Sequence, residues 1–211
     1  MQRTKPNSTI FGLWMIVLGA LGWIASLELT MARFQSLEFP DQQLGCDFGI
    51  LVNCSDSLAA WQGKVFFEIP NMLFGLAGFA VVIVIGAAII AGAKFAPWFW
   101  GFWLLGITAQ FALTAWFQYQ SIFVIGSLCP WCIAMWFASV PIFFIGFSYP
   151  FASGAFKWRK AFATTPLDDD EEESSLGRLI YRNIWILLVI YVLAFFLLAQ
   201  MRLNIFSYIF V

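Results

Sequence analysis

Charged residues and histidine are scarce in this 211-residue sequence. Only 11% of the residues are charged and none is histidine, whereas soluble proteins are typically about 25% charged. The lack of charge excludes a disordered chain and an ordinary water-soluble domain. The lack of histidine excludes mechanisms that need an imidazole base or metal ligand. The net charge of −1 gives no electrostatic reason to expect nucleic acid as a partner.

Apolar and aromatic residues dominate what remains. Hydrophobic residues make up 62% of the chain, which includes 25 Phe and 11 Trp. A solvated surface cannot accommodate this many aromatic side chains, so the composition indicates an integral membrane protein. The four cysteines are then its only obvious reactive groups.

Five apolar segments are long enough to cross about 30 Å of hydrocarbon as helices, which takes roughly 20 residues. They cover about residues 10–29, 71–93, 97–124, 129–149 and 183–201. The first is interpreted as a retained helix, because its apolar run is longer than the roughly 7–15 residues of a signal peptide. A long loop, 31–70, and an acidic linker, 157–182, join the spans. We therefore predict one all-α membrane domain over residues 1–211.

Lysine and arginine are distributed unequally between the two ends of these spans. With an odd number of spans, one side holds Arg3, Lys5, Lys94, Lys157, Arg159, Lys160, Arg178 and Arg182, and the other holds Arg33, Lys64 and Arg202. Because cytoplasmic flanks are enriched in these residues, we predict a multi-pass protein of a cell membrane with a cytoplasmic N-terminus. The 31–70 loop then faces outward.

All four cysteines fall on the predicted outer side, where disulfides form and persist. Cys46 and Cys54 lie in the 31–70 loop, and Cys129 and Cys132 lie at the start of the fourth span. Four cysteines allow three connectivities, of which the spacing favours 46–54 with 129–132. A structural zinc site and two inert structural disulfides are the alternatives. We predict no metal.

The segment Cys129-Pro130-Trp131-Cys132 has the spacing of a redox-active dithiol. With Cys129 as the N-cap of a helix, Pro130 occupies the first helical position, where a missing N–H is harmless. The helix N-terminus then stabilises a thiolate on Cys129. Cys132 lies about 4.5 Å further along the axis, closer to a lipid-soluble oxidant.

A quinone is the simplest electron acceptor, since no nucleotide loop, haem ligand set or metal site is present. Its head group needs aromatic walls and a few hydrogen-bond donors. Asn71 is a donor at a suitable depth, and Phe74 and Trp136 could supply ring faces. The remaining candidates recur every four residues on one helical face: Gln110, Thr114 and Gln118. Hydrogen bonding between helices is the alternative role for this polar stripe.

The cysteine motifs resemble those of the vitamin K epoxide reductase family, in its bacterial disulfide-forming branch. The matching elements follow in the family order: Cys46-Asp47-Phe48-Gly49, Cys54-Ser55, Trp61, Gly63, Asn71-Met72-Leu73-Phe74-Gly75 and Cys129-Pro130-Trp131-Cys132. The resemblance implies a four-helix bundle around a quinone plus a peripheral fifth helix. It also implies that Cys132 is adjacent to the quinone, and that Cys46 and Cys54 form a shuttle pair that exchanges through a Cys54–Cys129 mixed disulfide.

The same resemblance implies the cofactor and partner. A menaquinone is favoured, with ubiquinone as the alternative, and Asn71 corresponds to a donor to a quinone carbonyl. Relatives often carry a fused thioredoxin-like domain, whereas this sequence ends at Val211. We therefore expect a separate, DsbA-like thioredoxin-fold partner. Where relatives carry Ser or Thr, six residues after the second loop cysteine, this sequence has Ala60. Either Ser55 or Ser57 substitutes for that hydroxyl, or the substrate of this protein does not need it.

These observations favour a quinone-dependent thiol oxidase that regenerates this partner. Three alternatives stay open: a thiol-driven quinone or quinone-epoxide reductase, a DsbB-type oxidase, and a structural membrane subunit with inert disulfides. DsbB-type enzymes place the CxxC pair in the first outer loop, and here the order is reversed.

Overall fold

The computed structural model describes residues 7–65, 68–153 and 182–204, and the regular elements in these ranges are helical. In chain order they are α1 (Ser8–Glu38), α2 (Ser55–Ala59), a 3₁₀ turn (Trp61–Lys64), α3 (Asn71–Ile90), α4 (Pro97–Gln120), a π-helical turn (Ser121–Ile125), α5 (Pro130–Ala152) and α6 (Ile184–Leu203). The predicted all-α membrane fold is confirmed. Apart from Arg182, the predicted linker 157–182 lies outside the described residues.

Four of the described helices, α1, α3, α5 and α6, are long and apolar enough to cross a membrane. Helix α4 has 24 residues and no charged side chain, but its glutamines and threonines lower its apolarity. It runs antiparallel to α5, since Trp100 packs against Tyr149 near one end and Phe111 stacks on Phe143 near the middle. The crossing predicted for α4 stays a prediction.

Helix α1 runs 31 residues, nine beyond the predicted span at its C-terminal end. The sequence contains no glycine or proline between Gly22 and Pro40, so nothing in it ends the helix at the membrane boundary. The additional turns of α1 cover the loop that carries the first two cysteines.

Close packing of α1 on α3 forms the frame of the bundle. A Cβ built on Gly12 would lie 2.6 Å from the carbonyl oxygen of Gly86, and a Cβ on Gly86 would lie 2.7 Å from that of Gly12. The two helices therefore approach backbone to backbone, as small residues allow in membranes. At the same end, Phe11 of α1 stacks on Tyr149 of α5 with ring centroids 3.8 Å apart.

The helix directions place the four cysteines at one end of the bundle, here called the cysteine end. Helices α1 and α6 start at the opposite end, where Trp14 contacts Trp185. Four helix ends meet at the cysteine end, around a cluster of buried residues. They are the C-terminal ends of α1 and α4 and the N-terminal ends of α3 and α5. This cluster comprises Leu29, Ala32, Leu44, Cys46, Cys54, Leu58, Met72 and Cys129.

Candidate active site

Cys46 and Cys54 form a disulfide with an S–S distance of 2.02 Å, so one of the two favoured pairings is present. Cys129 and Cys132 are free thiols. The structure therefore has an oxidised pair in the loop and a reduced pair at the start of α5.

Asp47 organises the loop that carries the disulfide. Its Oδ1 accepts hydrogen bonds from the backbone N–H groups of Cys54 at 2.7 Å and Ser55 at 3.2 Å. Its Oδ2 accepts from the Ser55 hydroxyl at 2.5 Å and from the N–H of Leu44 at 3.3 Å. One carboxylate thus ties together the chain on both sides of the disulfide.

The same contacts stabilise the charged form of Asp47. Partial burial on its own raises the pKa of this carboxyl, but the hydrogen bond from Ser55 and the three backbone N–H groups outweigh it and hold the pKa below its ordinary value. The loop therefore carries a fixed negative charge beside Cys46 and Cys54.

Cys54 lies directly against Cys129. Their Sγ atoms are 3.3 Å apart across 75 residues of sequence, and both side chains are fully buried. The N–H of Leu128 donates to the carbonyl of Leu51 at 2.8 Å, which fastens the loop to the start of α5. This arrangement brings the sulfurs of the two pairs to the approach needed for thiol–disulfide exchange.

Cys129 is the N-cap of α5 and Pro130 is the first helical residue, as the sequence predicts. The backbone N–H of Cys132 donates to the Cys129 Sγ at 3.4 Å. The pKa of Cys129 is lowered by the thiol of Cys132 and by the backbone N–H groups of Cys132 and Trp131. Burial and the charge of Asp47 oppose this effect, and the pKa stays below its ordinary value. Cys129 is thus the more readily ionised sulfur of an attacking or leaving pair.

Cys132 faces a different environment from Cys129. It contributes to the wall of a largely apolar cavity of about 580 Å³ between α3, α4 and α5, a volume in the usual range for small-molecule sites. Asn71, Phe74, Thr114 and Trp136, all predicted contacts of a quinone, line this cavity too. The structure therefore brings the cysteine predicted to be quinone-proximal together with four of the predicted cofactor residues.

The polar stripe predicted on α4 divides between two environments. Gln110 and Thr114 line the cavity. Gln118 does not, and its Oε1 accepts a hydrogen bond of 2.5 Å from the hydroxyl of Tyr191 on α6. The prediction of Gln118 as a cofactor contact gains no support from this position, because its carbonyl oxygen already serves helix–helix packing.

Asn71 and Ser57 are among the polar residues of the lining that could donate a hydrogen bond to a ligand in the cavity. Asn71 accepts from the N–H of Val65 and donates to the carbonyl of Gln62 at 2.6 Å, which holds its amide in place and leaves one N–H unused. The Ser57 hydroxyl is buried and has no partner within the described residues, and Ser57 also lines the cavity. The Ser55 hydroxyl donates to Asp47, so of the two serines only Ser57 presents an unpaired hydroxyl beside the cavity within the described residues.

The cavity opens towards lipid between α3 and α4. Its lining includes Phe74 and Val81 on α3 and Phe102 and Leu113 on α4, and each of these side chains is exposed. A Cβ added to Gly106, on the same wall, would meet no atom within 4 Å. A lipid-soluble molecule could therefore reach Cys132 from within the bilayer.

The cysteine end also contains the one group of potential metal ligands found within the described residues, Cys46, Asp47 and Cys54. The two cysteine sulfurs are already bonded to each other. Thiolates are the form in which cysteine binds metals, so these residues do not fit a metal site in this redox state.

A disulfide in contact with a pair of free thiols, one of which lines an apolar cavity among membrane helices, is the arrangement expected of a membrane-embedded thiol oxidoreductase. The family profile of the vitamin K epoxide reductase family matches residues 13–147. The chain belongs to this family, whose members are oxidoreductases that act on quinones and thiols. No curated protein gives a significant match to the sequence.

The sequence alone assigned no role to Asp47, and it named Ser57 only as one of two alternatives. A polar residue directly follows each loop cysteine, Asp47 after Cys46 and Ser55 after Cys54, and this repeated pattern was the available signal for the Asp47 network. Nothing in the sequence distinguishes the hydroxyl of Ser57 from those of its neighbours.

Proposed function

We propose that the protein is a quinone-dependent thiol oxidase that reoxidises a soluble, DsbA-like thioredoxin-fold disulfide donor. The observation that carries this proposal is the 3.3 Å contact between the Sγ atoms of Cys54 and Cys129, with Cys132 on the wall of the cavity. This order of sulfurs connects a loop at the end of the bundle to a lipid-accessible site.

The first steps occur at the loop. The dithiol of the partner reduces the Cys46–Cys54 disulfide and leaves as a disulfide. The Cys54 thiolate then attacks Cys129 of the 129–132 disulfide, so that a Cys54–Cys129 bond forms, the Cys129–Cys132 bond breaks and Cys132 leaves as a thiolate. Cys46 next attacks Cys54, which restores the loop disulfide and releases Cys129. The structure has a loop disulfide and two free thiols at the start of α5, which is the redox state that these three steps would leave.

The cavity completes the reaction. A quinone bound there supplies the electron sink, since it takes up two electrons and two protons and leaves as quinol while the 129–132 disulfide forms again. Ser57 and Asn71 would donate hydrogen bonds to its carbonyl oxygens, and Phe74 and Trp136 would flank its ring. The unpartnered Ser57 hydroxyl supports this fit. We favour menaquinone over ubiquinone by analogy with the family.

Reconstitution in liposomes tests the proposal. With menaquinone in the bilayer and a reduced DsbA-like protein outside, wild type should oxidise the partner and form quinol, followed by thiol titration and ultraviolet absorbance. Cys132→Ala should abolish quinol formation but still form the Cys54–Cys129 mixed disulfide, detected by peptide mass mapping. Continued quinol formation by this variant would disprove the mechanism. Rapid reduction of a quinone epoxide by a small dithiol, without oxidation of the partner, would favour the reductase alternative.

We further propose that the cysteine end faces the outside of a bacterial inner membrane. The sequence supports this orientation, because the flanks and loops on the predicted inner side of the spans contain eight lysines and arginines and those on the predicted outer side contain three. In spheroplasts, a membrane-impermeant maleimide should label a cysteine introduced by Ile50→Cys, because Ile50 is an exposed residue of the 31–70 loop. Labelling that requires permeabilisation would show the reverse orientation.

A further inference from the structure

A second cavity at the cysteine end has no part in the relay. It lies between the C-terminal turns of α1 and the start of α3 and has a volume of about 270 Å³. We call it the basic groove; its lining is Thr30, Arg33, Phe34, Leu37, Lys64, Glu68, Pro70, Met72 and Leu73. It therefore combines two cationic side chains with an apolar surface.

The cations of the basic groove lack an anionic partner. Arg33 and Lys64 are both half-buried, and neither forms an ion pair within the part of the chain that the structure describes. Glu68 also lines the groove, so the three side chains leave a net charge of +1. Two of the three lysines and arginines predicted for this end of the protein thus converge on one groove, whose positive charge Glu68 offsets only in part.

The walls beside these cations are apolar and uncovered. Phe34 is 64% exposed, Leu37 61% and Leu73 42%. A free anion would contact the two cations but not this apolar surface. A phospholipid could contact both, because it carries a phosphate and apolar chains in one molecule. The Thr30 hydroxyl already donates to the carbonyl of Ser26, which leaves Arg33 and Lys64 as the side-chain donors to a phosphate.

We propose that the basic groove binds the headgroup of an anionic phospholipid, with its phosphate between Arg33 and Lys64, its glycerol region against Phe34 and its acyl chains directed along Leu73 towards the bilayer. The site is joined to the relay through Arg33, whose Nη1 donates to the carbonyl of Leu58 at 3.3 Å. Leu58 belongs to the buried cluster around Cys54 and Cys129. A lipid that holds Arg33 therefore also holds the segment that follows Cys54.

Native mass spectrometry of the full-length protein tests this assignment. The protein is released from nanodiscs of phosphatidylcholine with a minor fraction of phosphatidylglycerol. Wild type should retain one phosphatidylglycerol in preference to phosphatidylcholine. Lys64→Gln should lower the retained fraction about fivefold, the contribution of one lysine or arginine near anionic lipid, and Lys64→Arg should restore it. Arg33→Gln should lower it similarly, since glutamine keeps a donor for Leu58.

Arg202→Gln is the matched control, because Arg202 is a cation at the same end that does not line the groove. It should retain the lipid as wild type does. Equal retention by wild type and by the Arg33→Gln/Lys64→Gln double variant would overturn the proposal. A thermal midpoint raised as much by inorganic phosphate in detergent as by phosphatidylglycerol would also overturn it, since it would show a free-anion site. Quinol formation by each variant would show that it is folded.

Discussion

At the scale of single residues, the site depends on which groups donate hydrogen bonds to the Asp47 carboxylate and to the Cys129 sulfur. Asp47 receives four hydrogen bonds from the loop, and Cys129 receives one from the first turn of α5. The first set shapes the segment between Cys46 and Cys54, and the second stabilises the sulfur with which this segment exchanges.

Replacement of Asp47 should loosen the loop. Asp47→Asn removes the charge and one acceptor, and we expect it to raise the opened fraction of the loop about fivefold, for a loss of about 1 kcal/mol per poorly satisfied group. Partner oxidation should slow accordingly, measured with the reconstituted protein. Asp56→Asn is the control, because Asp56 lies in the same loop and its carboxylate bonds only Asn53 within the described residues.

The same carboxylate predicts a pH dependence. Because folding lowers the pKa of Asp47, its contribution to stability is fully present above the unfolded value of about 3.9 and is lost as the pH falls through the lower, folded value. Thermal midpoints measured from pH 6 downwards should fall more steeply for wild type than for Asp47→Asn. Parallel curves would contradict this account.

Ser57 should affect the quinone and not the partner. Ser57→Ala removes a hydroxyl that lines the cavity without a described partner, and the loss of one hydrogen bond of about 1 kcal/mol should raise the KM for menaquinone about fivefold. The KM for the thioredoxin-fold partner should stay unchanged. Ser153→Ala, at the opposite end of α5, serves as control. An unchanged KM for menaquinone in Ser57→Ala would exclude the hydroxyl as a donor.

The sequence predicted the four cysteines, Asn71 and the N-cap position of Cys129, because each lies in a motif with local geometry. It did not decide between Ser55 and Ser57, since that choice depends on how the short helix α2 turns its side chains relative to Asp47 and the cavity. Such orientation arises from tertiary contacts and has no local signature.

At the scale of the elements, α1 and α3 cross in close backbone contact at Gly12 and Gly86. Gly86→Ala should destabilise this crossing, because its Cβ would lie 2.7 Å from the carbonyl oxygen of Gly12 and backbone cannot move aside as a flexible side chain can. We expect a loss of about 1–3 kcal/mol, measured as a lower thermal midpoint in detergent.

Gly106→Ala provides the comparison for helix propensity. It makes the same substitution within a helix, but its Cβ would meet no atom within 4 Å. It should leave the midpoint unchanged or raise it slightly, because alanine favours a helix more than glycine does. Equal destabilisation by both substitutions would exclude the close crossing as the cause.

The starts of the described helices agree with the predicted spans to within two residues, because asparagine and proline positions mark them. Helix α1 continues nine residues past the end of the first predicted span, since the length of an apolar run reflects the thickness of the membrane and not the length of the helix. The sequence could not predict the hydrogen bond of Gln118 either, because its partner Tyr191 lies 73 residues away on α6.

At the scale of the whole molecule, the proposed function requires a route from lipid to Cys132, and the cavity opening between α3 and α4 is the expected one. Ala109→Trp, on the wall of the cavity, should narrow this route and raise the KM for menaquinone about tenfold, the effect of about 1.4 kcal/mol. Exchange between Cys54 and Cys129 should be unaffected, as judged by mass mapping.

Ala112→Trp is the matched control for this gap. Ala112 is an exposed residue on the same helix that does not line the cavity. It should leave the KM unchanged. A similar rise in both variants would indicate a general disturbance of α4 and would contradict access through the gap.

The buried contact between Cys54 and Cys129 also has a kinetic consequence. Their sulfurs are held 3.3 Å apart, so the transfer between the two pairs behaves as a unimolecular step with a high effective concentration. Turnover is then governed by the two encounters at its ends, with the partner and with the quinone. Both sulfurs are shielded from solvent, so under the proposed mechanism we expect small thiols such as glutathione to react slowly with the mixed disulfide.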